Sequence, residues 1–107
     1  MQDFDSRLNR VSESVLSEAL GEYGNPPRWS RINTADCCKE PQEFDDALVD
    51  IFQRMGALLI ETKILTRFYR SIGARYSRSD DLIFAEEVRK ARIEFERLTA
   101  NVPGRHL

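Results

Sequence analysis

Apolar residues recur every three to four positions along this chain, and that period constrains the fold more than any other feature. In the first segment the apolar positions are Phe4, Leu8, Val11, Val15, Ala19, Leu20 and Tyr23. Such spacing places the side chains on one face of an α-helix. Residues 3–23 are therefore predicted to form an amphipathic helix, which Gly24 ends.

Two further segments carry the same helical period. The segment 41–76 begins with Pro41, whose ring suits the first helical position, and contains Gly56, which either ends a helix or is tolerated inside a longer one. Its predicted inward positions, which Phe68, Tyr69 and Tyr76 flank, are Phe44, Leu48, Ile51, Phe52, Met55, Leu58, Leu65 and Ile72. The segment 80–100 follows a predicted N-cap at Ser79. Its predicted stripe is Phe84, Val88, Ala91, Phe95 and Leu98.

No segment shows the alternation of apolar and polar residues that is typical of strands. The 107 residues suffice for one domain with a modest core, and 41% hydrophobic against 32% charged residues is typical of a folded chain. The predicted fold class is all-α, a small bundle of three to four amphipathic helices in a single domain, 1–107. No apolar run is long enough for a membrane span or a signal peptide, so the expected location is the cytoplasm.

Residue types that carry catalysis or bind metals are scarce. Cys37 and Cys38 are adjacent, which strains a mutual disulfide, and we expect reduced thiols in a loop. His106 is the single histidine, so no four-ligand zinc set can be assembled within one chain. There is no phosphate-binding glycine loop and no nucleophile in a triad context. The sequence therefore predicts a protein that is not an enzyme and needs no cofactor or metal.

The charges are segregated, although the net charge is only −2. Between Thr62 and Ser79 there is no acidic residue. The cations of this stretch are Lys63, Arg67, Arg70, Arg75 and Arg78. Lys63, Arg67 and Arg70 project within about 60° of one another on a helix. This face either forms intramolecular or solvated pairs, or contacts phosphates or an acidic protein surface. A sequence pI near 5.4 argues against nucleic-acid binding through bulk charge.

The segment 24–40, which lacks helical periodicity, is predicted to be a long loop. It contains Trp29 between Arg28 and Arg31, a combination enriched in interface hot spots. The other interpretation is that Trp29 folds back over the core of the bundle. The sequence leaves both open.

The stretch "DDALVDIFQRMGALLIETKILTRFYRSIGARYSRSDDLIFAEEVRKARIEFERL" resembles the helix-turn-helix half of small phage late-gene antitermination proteins and the related promoter-reading domain of sigma factors. The resemblance covers about half the chain. It implies a leading helix, an "ETKILTRFYR" helix, a short "SIGARY" helix, a turn and a final helix. It also implies contact with RNA polymerase or promoter DNA. Glu86 and Glu87 near the start of the final helix are unsuited to reading bases in the major groove.

These observations predict one of two functions. The first is a phage-type transcription regulator that contacts RNA polymerase or promoter DNA. Its predicted contact residues are Lys63, Arg67, Arg70, Arg75, Arg78, Arg28, Trp29 and Arg31. The second is a helical adaptor, inhibitor or chaperone that binds only a partner protein, with a homodimer as one form.

Overall fold

The computed structural model describes residues 3–21, 33–77 and 82–100. Of these residues 84% are helical and none lies in a strand, which confirms the all-α prediction. The described helices, in chain order, are α1 (Phe4–Gly21), α2 (Asp36–Lys39), α3 (Pro41–Ser71) and α4 (Phe84–Ala100).

Helix α1 follows the sequence prediction closely. The side chain of Asp3 accepts a hydrogen bond from the backbone N–H of Ser6 at 2.8 Å, which caps the first turn. Phe4, Leu8 and Val15 of the predicted stripe are buried. The end of the predicted segment, including Tyr23, lies outside the described residues.

Helix α2 lies where a loop was predicted. It is a single turn, and both of its cysteines are buried, Cys37 completely. The expectation of a loop was therefore wrong at this position, because the two cysteines pack as small apolar side chains between helices. Both are free thiols, as expected. The remainder of the predicted loop, residues 24–32, is outside the described part of the chain.

Helix α3 is sharply broken at Gln53, where φ is 64° and ψ is 176°. We call residues 41–52 its first arm and residues 54–71 its second arm. Asp45 in the first arm lies beside Glu61 in the second. In a straight helix these residues would be about 24 Å apart, at 1.5 Å per residue. The two arms must therefore fold back on each other.

The break resolves the question that Gly56 left open. The helix is interrupted three residues before Gly56, and Gly56 itself lies within the second arm. Met55 was predicted to face the core, but 72% of it is exposed. Met55 lies two residues after the bend, so it no longer shares the buried face of the first arm.

The inward face of the second arm is shifted from the predicted one. Of Leu58, Leu65 and Ile72, only Leu65 is fully buried, and the other two are half-buried. The buried positions are Ala57, Ile60, Glu61, Ile64, Leu65, Phe68 and Tyr69. The prediction placed Phe68 and Tyr69 only at the flank of the stripe and omitted Ile60 and Ile64, because Glu61, a charged residue, lies near the centre of this face.

The end of α3 is set by Gly73. The N–H of Ala74 donates to the carbonyl oxygen of Tyr69 at 2.8 Å, and the N–H of Gly73 donates to the carbonyl oxygen of Arg70 at 3.1 Å. With Gly73 at φ 79°, this is a Schellman motif, which a glycine favours. The predicted continuation of the helix to residue 76 was therefore wrong, and the short "SIGARY" helix does not form.

Helix α4 begins at Phe84, and Leu82 and Ile83 before it are not helical. Ser79, the predicted N-cap, lies outside the described residues. Phe84, Val88 and Ala91 are buried, as the stripe predicted, and Phe95 packs partly buried against the core.

The core joins the two halves of the chain. We call α1, α2 and the first arm of α3 the N-terminal half, and the second arm and α4 the C-terminal half. Phe4 meets Phe68 edge-on at a centroid distance of 5.3 Å, and Phe44 stacks on Phe84 at 5.6 Å. Each pair takes one ring from each half, so neither half buries its apolar face alone.

The close packing at the bend yields a stability prediction for Gly56. A Cβ atom placed there would lie 2.7 Å from Cβ of Phe52, which is fixed to the backbone and cannot rotate away. Helix propensity alone would make Gly56→Ala stabilising by about 1 kcal/mol. We expect the opposite sign, a loss of about 1–3 kcal/mol by urea denaturation, because the bend must shift to admit the methyl group. A stabilised variant would show that the arms do not approach so closely.

Candidate functional site

Most of the predicted cations lie together on one surface of the second arm and the turn after it. A shallow groove of about 200 Å³ is lined by Thr62, Lys63, Thr66, Arg67 and Arg70. A second groove, of about 270 Å³, is lined by Thr66, Arg70, Ala74, Arg75 and Tyr76. Thr66 and Arg70 belong to both, so the grooves adjoin. We call Lys63, Arg67, Arg70 and Arg75 the basic surface.

Arg67 has an internal partner. Its guanidinium donates to both carboxylate oxygens of Glu18 on α1, at 2.6 Å and 2.9 Å, and to Oγ of Ser14 at 3.2 Å. This two-pronged geometry is the strongest that an arginine forms with a carboxylate. The hydrogen bond from Arg67 also holds the pKa of Glu18 below its usual value. Arg67 therefore fixes α1 against the second arm, as the intramolecular interpretation of this face expects.

The other three cations of the basic surface are differently placed. Lys63, Arg70 and Arg75 are exposed. None of them forms an ion pair with a carboxylate among the described residues. Glu18 is within electrostatic reach of Lys63 but is bound by Arg67. The basic surface thus presents three positive charges to solvent along about two turns of helix and the following turn.

The remaining predicted contact residues, Arg28, Trp29, Arg31 and Arg78, lie outside the described residues. Whether Trp29 caps the core or contacts a partner stays a prediction.

The C-terminal helix, by contrast, pairs its own charges. Arg89 binds Glu86, Lys90 binds Glu87 and Arg97 binds Glu94, each pair three residues apart along α4. The pairs of Arg89 and Arg97 are typical of a solvated helix surface, whereas in the third pair Glu87 is buried and only Lys90 is exposed. The three pairs leave the basic surface on α3 as the concentrated positive region of the described part.

A buried polar cluster, which the sequence analysis missed, lies where α1, α2 and the two arms of α3 meet. It comprises Ser12, Cys37, Asp45 and Glu61. Glu61 is fully buried, and no hydrogen-bond donor among the described residues reaches either of its carboxyl oxygens. Asp45 beside it is also an acceptor when ionised, so the two carboxyls can share a hydrogen bond only if one is protonated. Arg54, at 3.5 Å, pairs with Asp45 from the exposed side.

The protonation state of Glu61 follows from this environment. Burial, together with the neighbouring carboxyl of Asp45, raises the pKa of Glu61 to about 9, and Arg54 offsets only part of the effect. Glu61 is therefore protonated and uncharged at neutral pH. A signal for its position did exist in the sequence, because Glu61 lies four residues after Ala57 and four before Leu65, on the buried face.

The cysteines are chemically quiet in this arrangement. Oγ of Ser12 lies 2.9 Å from the carbonyl of Leu8 and 3.1 Å from Sγ of Cys37. Burial raises the pKa of the Cys37 thiol, and burial together with the charge of Asp5 raises the pKa of Cys38 to about 12. The nucleophilic thiolate is thus disfavoured at both positions. Within the described residues no group of three or more His, Cys, Asp or Glu side chains is arranged to hold a metal ion.

The thiols give a direct test of their burial. In the native protein Cys37 and Cys38 should react with Ellman's reagent at least about tenfold more slowly than in urea, because access requires local opening. Progress curves of released thionitrobenzoate measure both rates. Immediate reaction of two thiols in buffer would contradict the placement of α2.

Four large apolar residues are exposed in the described part: Met55, Leu59, Ile83 and Ile93. Met55 and Leu59 are four residues apart and share one outward side of the second arm, one turn before Lys63. No described helix has both the length and the apolar content to cross a bilayer.

Comparisons with protein-family models, with curated proteins and with solved structures find no match. The site is therefore interpreted from its own chemistry.

Proposed function

We propose that this protein acts by binding, without catalysis, and that its basic surface receives a negatively charged partner. The observation that carries the proposal is the exposure of Lys63, Arg70 and Arg75 beside two adjoining grooves, unpaired with any described carboxylate. Arg67 on the same surface is bound by Glu18. The other three cations of the basic surface are available to an external partner.

In its specific form, the proposal is a transcription regulator of the phage antiterminator kind that contacts RNA polymerase or promoter DNA. The basic surface supports contact with phosphates or acidic side chains. Base reading has no such support, because the polar face of α4 carries Glu86 and Glu94, each bound to a neighbouring arginine. Recognition would therefore depend on the backbone of DNA or on a protein surface.

A second candidate, an adaptor that binds only another protein, is favoured by the exposure of Met55 and Leu59. Apolar residues at the surface contribute to protein interfaces and contribute little to binding a phosphate backbone. The two candidates make opposite predictions for the salt dependence of binding.

The test reverses the charges that carry the proposal. The variant Lys63→Glu/Arg70→Glu/Arg75→Glu should weaken binding to RNA polymerase or to duplex DNA. If the contacts are to phosphates, the slope of log affinity against log salt should fall by about three, close to one for each contact. Fluorescence anisotropy across a salt series measures both quantities.

A matched control carries the same change of charge elsewhere. Lys39, Arg89 and Arg97 are exposed and lie outside the basic surface, so Lys39→Glu/Arg89→Glu/Arg97→Glu should retain the wild-type slope. If both variants weakened binding equally, the effect would come from net charge alone, and the assignment of the basic surface as the binding site would be contradicted. Affinity that resists salt but is lost in Met55→Asp/Leu59→Asp would favour the adaptor.

A further inference from the structure

The two halves of the chain contact each other extensively but are joined at a single point. Rings from both halves pair in Phe4–Phe68 and Phe44–Phe84. Ion pairs join Glu18 to Arg67, and Asp5 to Arg92 at 3.0 Å. The covalent connection between these partners passes through Gln53. Every one of these contacts could therefore form between halves of one chain or between halves of two chains.

The connection at Gln53 is strained. Its φ of 64° with ψ of 176° falls in a region that essentially only glycine occupies without cost. Gln53 and the two residues after it, Arg54 and Met55, are good helix formers. The side chain of Gln53 is exposed, so no buried contact compensates for the strain. Local preference at the bend therefore opposes the conformation that the contacts between the halves impose.

Relief of this strain would make α3 one continuous helix. No proline follows Pro41 within α3, so nothing in the covalent chain forbids 31 helical residues in a row, about 46 Å long. A straight α3 carries Asp45 about 24 Å from Glu61 of the same chain. The N-terminal half then needs a different C-terminal half to cover its apolar face, and a second copy of this chain supplies an identical one.

We propose that α3 opens at Gln53 and that two copies of the protein exchange their N-terminal halves to form a dimer. The exchanged dimer rebuilds the contacts between Phe4 and Phe68 and between Glu18 and Arg67, each now across two chains. Relative to two monomers, the exchanged dimer relieves the backbone strain at both copies of Gln53, but association costs translational and rotational entropy. The balance is therefore set by protein concentration and by the residue at position 53.

Two substitutions at this position separate the exchange from other kinds of dimer. Gln53→Gly relieves the strain in the bent chain and weakens the straight helix, whereas Gln53→Ala keeps the strain and strengthens the helix. Both remove the same exposed side chain. Alanine is favoured over glycine inside a helix by about 1 kcal/mol per chain, so two chains make the dimer dissociation constants differ by about 30-fold or more.

Light scattering after size-exclusion chromatography over a wide range of concentration measures these constants. We expect the dimer to be tightest in Gln53→Ala, intermediate in the wild type and weakest in Gln53→Gly. Equal constants for the two variants, or a Gln53→Ala variant that stays monomeric at every concentration, would overturn the proposal.

A second measurement shows which chain supplies each half. One chain carries Asp5→Arg and Glu18→Arg, and the other carries Arg67→Glu and Arg92→Glu. Each chain alone brings like charges together, whether as a monomer or as a dimer. An exchanged heterodimer matches every pair with an opposite charge. Refolding the two chains together should give a heterodimer that melts above either chain alone. A mixture that melts as the sum of its separate components would overturn the exchange.

Discussion

The free energy of unfolding should decrease as the pH rises from 5 to 8. Glu61 has a folded pKa of about 9, against 4.5 as the ordinary value, so the folded state binds a proton that the unfolded state releases over this range. A group whose folded pKa is raised stabilises the fold fully below its unfolded pKa, and this contribution is lost as the pH rises through the folded value. Each pH unit costs about 1.4 kcal/mol, or about 3 kcal/mol between pH 5 and pH 7. Urea denaturation at a series of pH values measures the slope.

The variant Glu61→Gln isolates this effect. The amide has nearly the shape of the protonated acid and does not titrate, so the slope between pH 5 and 8 should disappear and the variant should be more stable than the wild type at pH 8. Glu43→Gln, at an exposed position of the first arm, is the matched control and should keep the wild-type slope. If the free energy of unfolding depended on pH in the same way for wild type and Glu61→Gln, Glu61 would be exposed to solvent and not buried.

Below pH 4.5 the lowered pKa values of Asp3 and Glu18 act in the opposite direction, so maximal stability is expected near pH 5.

Phe68→Ala should cost about 3–5 kcal/mol of unfolding free energy, which is much of the total for a domain of this size. The ring of Phe68 is fully buried and lies against Phe4 of α1, at 5.3 Å, and Phe95 of α4, at 6.3 Å. Its loss leaves a cavity between three helices that cannot close without moving all of them. Thermal melting followed by circular dichroism should show a much lower midpoint.

The control for this truncation is Met55→Ala on the same helix. Met55 is largely exposed, so its loss should change stability by no more than about 0.5 kcal/mol. If Phe68→Ala were as stable as Met55→Ala, the side chain of Phe68 would not be buried against α1 and α4.

The sequence predicted those elements whose local pattern agrees with their tertiary surroundings. Phe4, Leu8 and Val15 repeat at helical spacing and are buried in α1. Phe84, Val88 and Ala91 do the same in α4. In both helices one apolar stripe packs against one core, so periodicity is sufficient to identify the buried face.

The bend in α3 could not be predicted in this way, because the residues around Gln53 favour a helix. The break follows from contacts between residues distant in sequence, such as Asp45 with Glu61 and Phe44 with Phe84. Glu61 was missed for a related reason. A charged side chain is normally assigned to the surface, and only the packing of α2 and the first arm around it excludes water.

The candidate site shows the same division. The clustering of Lys63, Arg67 and Arg70 on one side of a helix follows from their spacing alone, and the structure places them together. The pairing of Arg67 with Glu18 joins residues 49 positions apart, so a single sequence gives no indication of it. That pairing separates one structural cation from three that are exposed.

The contacts of Phe4 and Asp5 also constrain the order in which the chain can fold. Arg92 binds Asp5 across 87 positions of sequence, and the ring of Phe95 lies 6.0 Å from that of Phe4. Closing such long loops carries an entropic cost that contacts between sequence neighbours avoid, so we expect these contacts to form after the local ones. During synthesis, α1 leaves the ribosome long before its partners on α4 exist. The end of α1 that carries Phe4 and Asp5 is therefore completed only after α4 has emerged, whereas α2 and the second arm, which cover the rest of α1, are made earlier.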